Sequence, residues 1–146
     1  MKSLLGRSSS PPVQVRRILV GTDRSETAER AVAWAADMAG RYEAELVLLQ
    51  VLREGDAAAA EQTRQELLPH AEELAGDRAR ALVLVDSDPA RAIVDAARDE
   101  KVDVVVVGSV GMSGRKEFLL ENVPNRVSHN APCTVVIVDT MGMAKK

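Results

Sequence analysis

An α/β domain, a parallel sheet covered by helices on both faces, is the fold class the sequence predicts, and three observations carry it. The chain has 146 residues, enough for one real hydrophobic core and too few for two ordinary domains. Five apolar runs are separated by helical patterns. Each run is apolar on consecutive residues instead of alternate ones, the mark of a strand buried on both faces. Right-handed crossovers leave the strand orders 2-1-3-4-5 and 3-2-1-4-5 both open.

Residues 1–14 contain Ser8-Ser9-Ser10-Pro11-Pro12, which buries too little apolar area to offset ordering its backbone, so a flexible arm is expected there. The first strand is expected over 15–21, around Ile18-Leu19-Val20. The loop Gly21-Thr22-Asp23-Arg24-Ser25 follows, and Ala28, Ala31, Val32, Ala35 and Ala39 then recur at helical spacing up to Gly40, a plausible stop. A second apolar run spans 45–52. A polar helix over 54–75, with Leu67, Leu68, Ala71, Leu74 and Ala75 on one face, ends at Gly76. The third strand is expected over 81–85. Asp88-Pro89 reads as N-cap and first helical residue of a helix whose Ala90, Ile93, Val94 and Ala97 face inward. Strand four covers 102–107. A helical segment over 113–130, broken at Pro124, leads to a fifth strand over 134–138 and a frayed tail over 141–146.

Composition narrows the function classes. Hydrophobic residues are 46% and charged ones 28%, the profile of a soluble globular protein. Only Trp34, Tyr42 and Phe118 are aromatic, so base stacking on aromatic platforms is not expected. A net charge of −3 and a sequence pI near 5.5 speak against nucleic acid or an anionic membrane as partner. The single cysteine, Cys133, heads an apolar strand and reads as a small buried hydrophobe. Without a signal-peptide core or membrane-spanning run, a cytoplasmic home is expected.

The organising stretch is 102–132, where the β-branched block ending in Val107 runs into Gly108-Ser109-Val110-Gly111-Met112-Ser113-Gly114. A strand, a glycine-spaced loop and a helix start place backbone N–H groups and a positive helix end around one point, where an anion can sit. Glycines also punctuate such turns for steric reasons alone. After Gly111 come nine residues, then Glu121-Asn122-Val123-Pro124 and His129-Asn130-Ala131-Pro132-Cys133 before the last valine-rich run. This string resembles the C-terminal half of the universal stress protein family, whose ATP-binding members carry Gly-x2-Gly-x9-Gly-Ser/Thr/Asn; Glu121 stands where they have the third glycine.

The resemblance extends over about 16–140 and implies the Rossmann-like order 3-2-1-4-5, with Gly21, Thr22 and Asp23 sharing a crevice with Val107, Gly108, Ser109 and Gly111. It also implies that Asp23 helps hold the adenine end, that the main chain of Val51 meets the base, and that Ser87-Asp88-Pro89-Ala90 walls it, Ala90 included. Ser113, Glu121, Asn122 and Val123 then fall at the phosphates, with Arg115 and Lys116 nearby. Each feature has a plainer reading beside it: Asp23 or Ser25 as helix N-cap with Glu26 completing a capping box, Val51 as core, Asp88 as a cap. ATP or AMP is the implied ligand, with Mg²⁺ accompanying it, and a homodimer through strand 134–138 is the implied assembly. An unpaired apolar edge strand invites such pairing.

No catalytic set is assembled in the sequence: there is no nucleophile elbow, no Walker lysine and no metal-ligand spacing around His70 or His129. The leading expectation is therefore a non-catalytic regulatory module in stress response, its downstream protein partner not named by the sequence. Its competitors are a nucleotide-free dimeric interaction protein, a slow ATP hydrolase, and a receiver-type phosphoacceptor domain using Asp86. Against the last, Asp23 lacks the adjacent second acid that would hold Mg²⁺.

Overall fold

The computed structural model describes residues 12–109 and 123–140. Residues 1–11 of the expected arm over 1–14, the candidates Gly111, Ser113, Arg115, Lys116, Glu121 and Asn122, and the tail over 141–146 lie outside the described residues. The elements run β1 (Arg17–Gly21), α1 (Glu26–Tyr42), β2 (Glu45–Leu52), α2 (Ala57–Ala75), a 3-10 turn (Gly76–Arg78), β3 (Ala79–Val85), α3 (Pro89–Asp99), β4 (Val104–Gly108), α4 (Val123–Asn130) and β5 (Thr134–Val138). All pairings are parallel, in the order β3-β2-β1-β4-β5, which resolves the choice that periodicity left open.

That order explains the two helical layers. Right-handed crossovers outward from β1 to β2 and β3 put α1 and α2 on one face, whereas the return to β4 and β5 puts α3 and α4 on the other. The side chains alternate accordingly. Ile18, Val20, Leu46, Leu48 and Val106 pack with Ala31, Val32, Ala35, Ala39 and Leu67. Leu19, Val47, Leu49, Val105 and Val107 pack with Ile93, Ala97, Val123 and Val127. The small face of α1 lets the helix lie close on the sheet, which is why alanines serve where a larger stripe would be expected.

Several boundaries differ from the sequence reading, each for a local reason. Gly40 does not stop α1: the helix continues to Tyr42, and the turn falls at Glu43 in the left-handed region (φ 56°), whose N–H bonds back to the carbonyls of Ala39 and Gly40. Buried Ala44 fixes this exit, its N–H 2.8 Å from the Ala39 carbonyl. Helix α2 begins at Ala57 and not at 54, because Asp56 accepts the Ala59 N–H at 2.9 Å and so becomes the N-cap. Strand β3 starts at Ala79, where its register with Leu46 begins, and β4 starts two residues late because the Val102 N–H closes α3 on the Ala97 carbonyl. Gly76 ends α2, Asp88 caps α3 with Pro89 behind it, and β5 spans 134–138, as read from the sequence.

Candidate functional site

The crevice lies at the carboxyl ends of the strands, where β1 and β4 are neighbours (Val20 opposite Val106) but feed helices on opposite faces. Such a parting of chains opens a cleft above the sheet. Of the three first-loop candidates, Gly21 and Thr22 are buried at its floor and Asp23 is half-buried. The loop is built from two successive side-chain turns: the Arg24 N–H donates to Thr22 Oγ1 (2.9 Å) and the Ser25 N–H to Asp23 Oδ1 (2.9 Å). These bonds hold Arg24 in the left-handed region (φ 68°).

Ser25 is the N-cap of α1, its hydroxyl accepting the Ala28 N–H at 3.2 Å. The capping box centred on Asp23 is therefore not formed: with Ser25 as cap, Glu26 is the first helical residue and sits too early to close it. Asp23 is left with a different role. One carboxylate oxygen rigidifies the turn, and Oδ2 has no hydrogen-bond partner among the described residues.

Strand β2 supplies the second wall. The last rung between β1 and β2 runs from the Thr22 N–H to the Leu49 carbonyl (2.9 Å), while the Asp86 N–H reaches the Leu52 carbonyl (2.8 Å) on the other side. Within a strand the main-chain groups of successive residues point to opposite neighbours. Odd-numbered residues of β2 thus face β1 and even-numbered ones β3. Since β1 has already ended at Gly21, opposite Leu49, the N–H and C=O of Val51 face the gap that β1 vacates. The Val51 side chain meanwhile packs against the α3 side of the core.

Above β4, the Ser109 N–H continues the ladder to the Val138 carbonyl (2.8 Å), and Ser109 Oγ accepts the Thr140 N–H (3.1 Å). Glycine at 108 sits in a tight place: a Cβ would stand 3.1 Å from Cγ2 of buried Thr140, which would have to shift to admit it. Val107, Ala90 and Val123 are buried with their side chains in the core, so they shape the crevice through main chain and bulk only.

The β3–α3 corner is a charged clamp. Asp86 accepts two bonds from Arg91 (2.6 and 3.1 Å) and one from the Asp88 N–H, and the Arg91 guanidinium holds its carboxyl below the usual range. Asp88, besides capping α3, takes both ends of the Arg126 guanidinium at 2.9 and 2.8 Å, which lowers its pKa as well. This pair fastens α4 to the head of α3. Cys133 is partly buried, and burial raises its thiol pKa, away from a reactive thiolate.

Sequence reading missed one contact close to the crevice. His70 Nε2 lies 2.8 Å from Glu29 Oε1, and Thr22 Oγ1 lies 3.4 Å from Glu29 Oε2. The carboxylate partner of His70 is 41 residues away in the chain, beyond any spacing rule. No group of three His, Cys, Asp or Glu side chains able to hold a metal occurs among the described residues, and none of their helices is long and apolar enough to cross a membrane.

Comparison with known proteins agrees with this architecture. The model of the universal stress protein family matches residues 14–139. Universal stress protein Rv1636 of Mycobacterium tuberculosis is 34% identical over 142 residues, covering 86% of this chain and 97% of its own length. Universal stress protein YxiE of Bacillus subtilis is 30% identical over 144 residues, covering 84% and 97%. A crystal structure of a universal stress protein in complex with cAMP superposes with a TM-score of 0.69 at 29% identity, over 88% of this chain and 99% of that one.

Proposed function

The chain belongs to the universal stress protein family, and from that premise we propose that it is a regulatory module that binds an adenine nucleotide, AMP or ATP, in the crevice above β1 and β4 without turning it over. One observation carries the reading: β1 ends at Gly21, opposite Leu49, while β2 continues, so the main-chain N–H and C=O of Val51 face the gap that β1 vacates, with Asp23 in the loop that follows β1. An adenine edge, which offers an amino donor beside a ring-nitrogen acceptor, matches that pair. Its neighbours are Gly21, Thr22 and Ala90. The phosphates extend toward Gly108, Ser109, Gly111, Ser113, Asn122 and Val123. Mg²⁺ would arrive with a triphosphate, because the described residues assemble no carboxylate cluster of their own.

Glu121 replaces the third motif glycine and sets the preference among nucleotides. A carboxylate about 4 Å from an outer phosphate costs on the order of 1 kcal/mol in water-like surroundings and about 4 kcal/mol at an effective dielectric near 20. Triphosphate affinity is then lowered by roughly ten- to a thousandfold, and AMP suffers less. Mass spectrometry of the small molecules released when the purified protein is denatured should find an adenine nucleotide. In calorimetry Glu121→Gly should tighten ATP binding far more than AMP binding. A protein that releases no nucleotide and binds neither AMP nor ATP refutes the reading and leaves the nucleotide-free interaction protein, which the Glu121 substitution favours.

Assembly as a homodimer through β5 belongs to the same proposal. The strand forms one edge of the sheet, with Ile137 47% exposed and Trp34 of α1 38% exposed beside it. Self-pairing would cover both. Ile137→Lys should yield a monomer in sedimentation; a wild-type monomer at micromolar concentration excludes the dimer.

A further inference from the structure

The phosphate end of the crevice is held from the edge strand of the sheet. Ser109, half-buried, follows the last residue of β4, and its N–H extends the ladder to the Val138 carbonyl at 2.8 Å. Thr140 is only 1% exposed although it lies beyond the end of β5. Its main chain and its side chain both meet the start of the loop after β4. The Thr140 N–H donates to Ser109 Oγ at 3.1 Å, and the two hydroxyl oxygens stand 3.4 Å apart. The Thr140 methyl lies over Gly108, so close that a Cβ there would be 3.1 Å from Cγ2. Among the described residues, Ser109 Oγ has no hydrogen-bond contact other than those two with Thr140.

We infer that Thr140 is a positioning residue for the phosphate end of the proposed nucleotide site: it fixes the Ser109 side chain so that the hydroxyl proton serves an anionic oxygen over β4. A serine hydroxyl has one proton and two lone pairs. The Thr140 N–H occupies a lone pair and makes Oγ an acceptor toward β5, which leaves the proton for another partner. The neighbouring Thr140 hydroxyl is a poor one. At 3.4 Å it lies beyond the usual O–H···O range, whereas a charged phosphate oxygen accepts the same proton at shorter distance and roughly twice as strongly. The Ser109 N–H is already bonded to Val138, so the side chain is what this residue can offer a ligand. A hydroxyl left to exchange rotamers would lose part of that contact to its own ordering, and one held from behind does not.

This inference rests on the nucleotide-site reading, and its test separates the two. AMP is the phosphate-bearing probe, since Glu121 weakens the triphosphate on the same reading, and adenosine is the control without phosphate. Calorimetry on the full chain should find AMP bound about three- to fivefold more weakly by Thr140→Ala, with adenosine unchanged. Thr140→Ser, which keeps the hydroxyl toward Ser109, should retain most of the AMP affinity. Ser109→Ala should lose at least as much as Thr140→Ala, and the double variant no more than Ser109→Ala alone, because a residue that acts only through Ser109 then has no hydroxyl to position. An unchanged AMP affinity in Thr140→Ala, equal losses for AMP and adenosine, or losses that add in the double variant overturn the inference and leave the nucleotide reading in place. A wild-type protein that binds neither probe removes the nucleotide reading. NMR of the ligand-free chain then decides whether Thr140 orders Ser109: a single Ser109 χ1 rotamer that averages over several in Thr140→Ala is expected, and averaging already present in the wild type overturns it.

Discussion

The two ends of the sheet are built from the same kinds of residues and put them to opposite uses. At the amino end, Asp103 Oδ2 accepts the N–H groups of Arg16 (2.7 Å) and Arg17 (3.1 Å), which pins the start of β1. Arg17 pairs with Glu45 at 2.7 Å and also donates to the Glu100 carbonyl, and Arg80 bridges Glu100 at 2.7 Å and Glu45 at 3.8 Å. Charges here are consumed by one another. At the carboxyl end the loops satisfy themselves with short-range turns, and the main chain of Val51 faces the gap that β1 vacates. The difference shows where this fold leaves main-chain polar groups unpaired within the sheet: not where charges are most numerous, but where a strand ends early and its neighbour continues.

The largest expected effect falls at the closed end. Asp103→Ala leaves two backbone N–H groups without their charged acceptor and should destabilise the fold by about 2–3 kcal/mol in urea unfolding, with nucleotide affinity unchanged. A loss of affinity with no loss of stability would erase the contrast between the two ends. Next comes Gly108→Ala, whose added methyl meets Thr140 Cγ2 at 3.1 Å and should cost about 1–2 kcal/mol. Thr140→Ser removes that methyl and keeps the hydroxyl, so the double variant should recover most of the loss. If it does not, crowding by Thr140 is not what demands glycine there.

At the open end the expected balance reverses. Asp23→Asn keeps an oxygen for the Ser25 N–H and so preserves the turn, but it removes the carboxylate charge. AMP affinity should fall about tenfold, with the melting temperature nearly unchanged. A variant that melts early and binds normally would make Asp23 a structural residue like Asp103.

How much of this was legible in the sequence depends on the range of the interaction. The strands were readable because burial on both faces writes a continuous apolar run, and Asp88-Pro89 was readable because a cap is settled within four residues. The strand order was not readable from periodicity, which is silent on which strands neighbour each other; the family resemblance implied 3-2-1-4-5, and the sheet has that order. The exit of α1 was misplaced because Gly40 is a good stop in isolation, whereas the actual turn is fixed by Ala44 entering β2. Of the two N-cap candidates at the head of α1, Ser25 is the cap and Asp23 holds the turn before it. The crowding of Gly108 by Thr140 and the pairing of His70 with Glu29 are contacts that only the assembled layers bring together.

The smallest expected effect concerns the corner between the two ends, where Asp86 and Asp88 are bound by Arg91 and Arg126. Both carboxyls are held below their ordinary value of 3.8, first of all by those arginine hydrogen bonds. A carboxylate depressed in the folded state binds fewer protons there than in the unfolded chain. Its stabilisation is therefore fully present above the ordinary value and is lost as the pH falls below about 4 through the depressed one. The arginine partners are 58% and 44% exposed, so solvent screening keeps the contribution of the two pairs small. Urea unfolding at pH 3 against pH 6 should show Asp88→Asn less acid-sensitive than the wild type, since its share of the proton uptake is gone. The same clamp bears on the receiver-type alternative. A phosphoacceptor needs an open carboxylate, and Asp86 has both oxygens on Arg91. Acetyl phosphate with Mg²⁺ should leave the intact mass unchanged, whereas an added phosphoryl group that disappears in Asp86→Asn would move the chemistry from the crevice over β1 to the corner over β3.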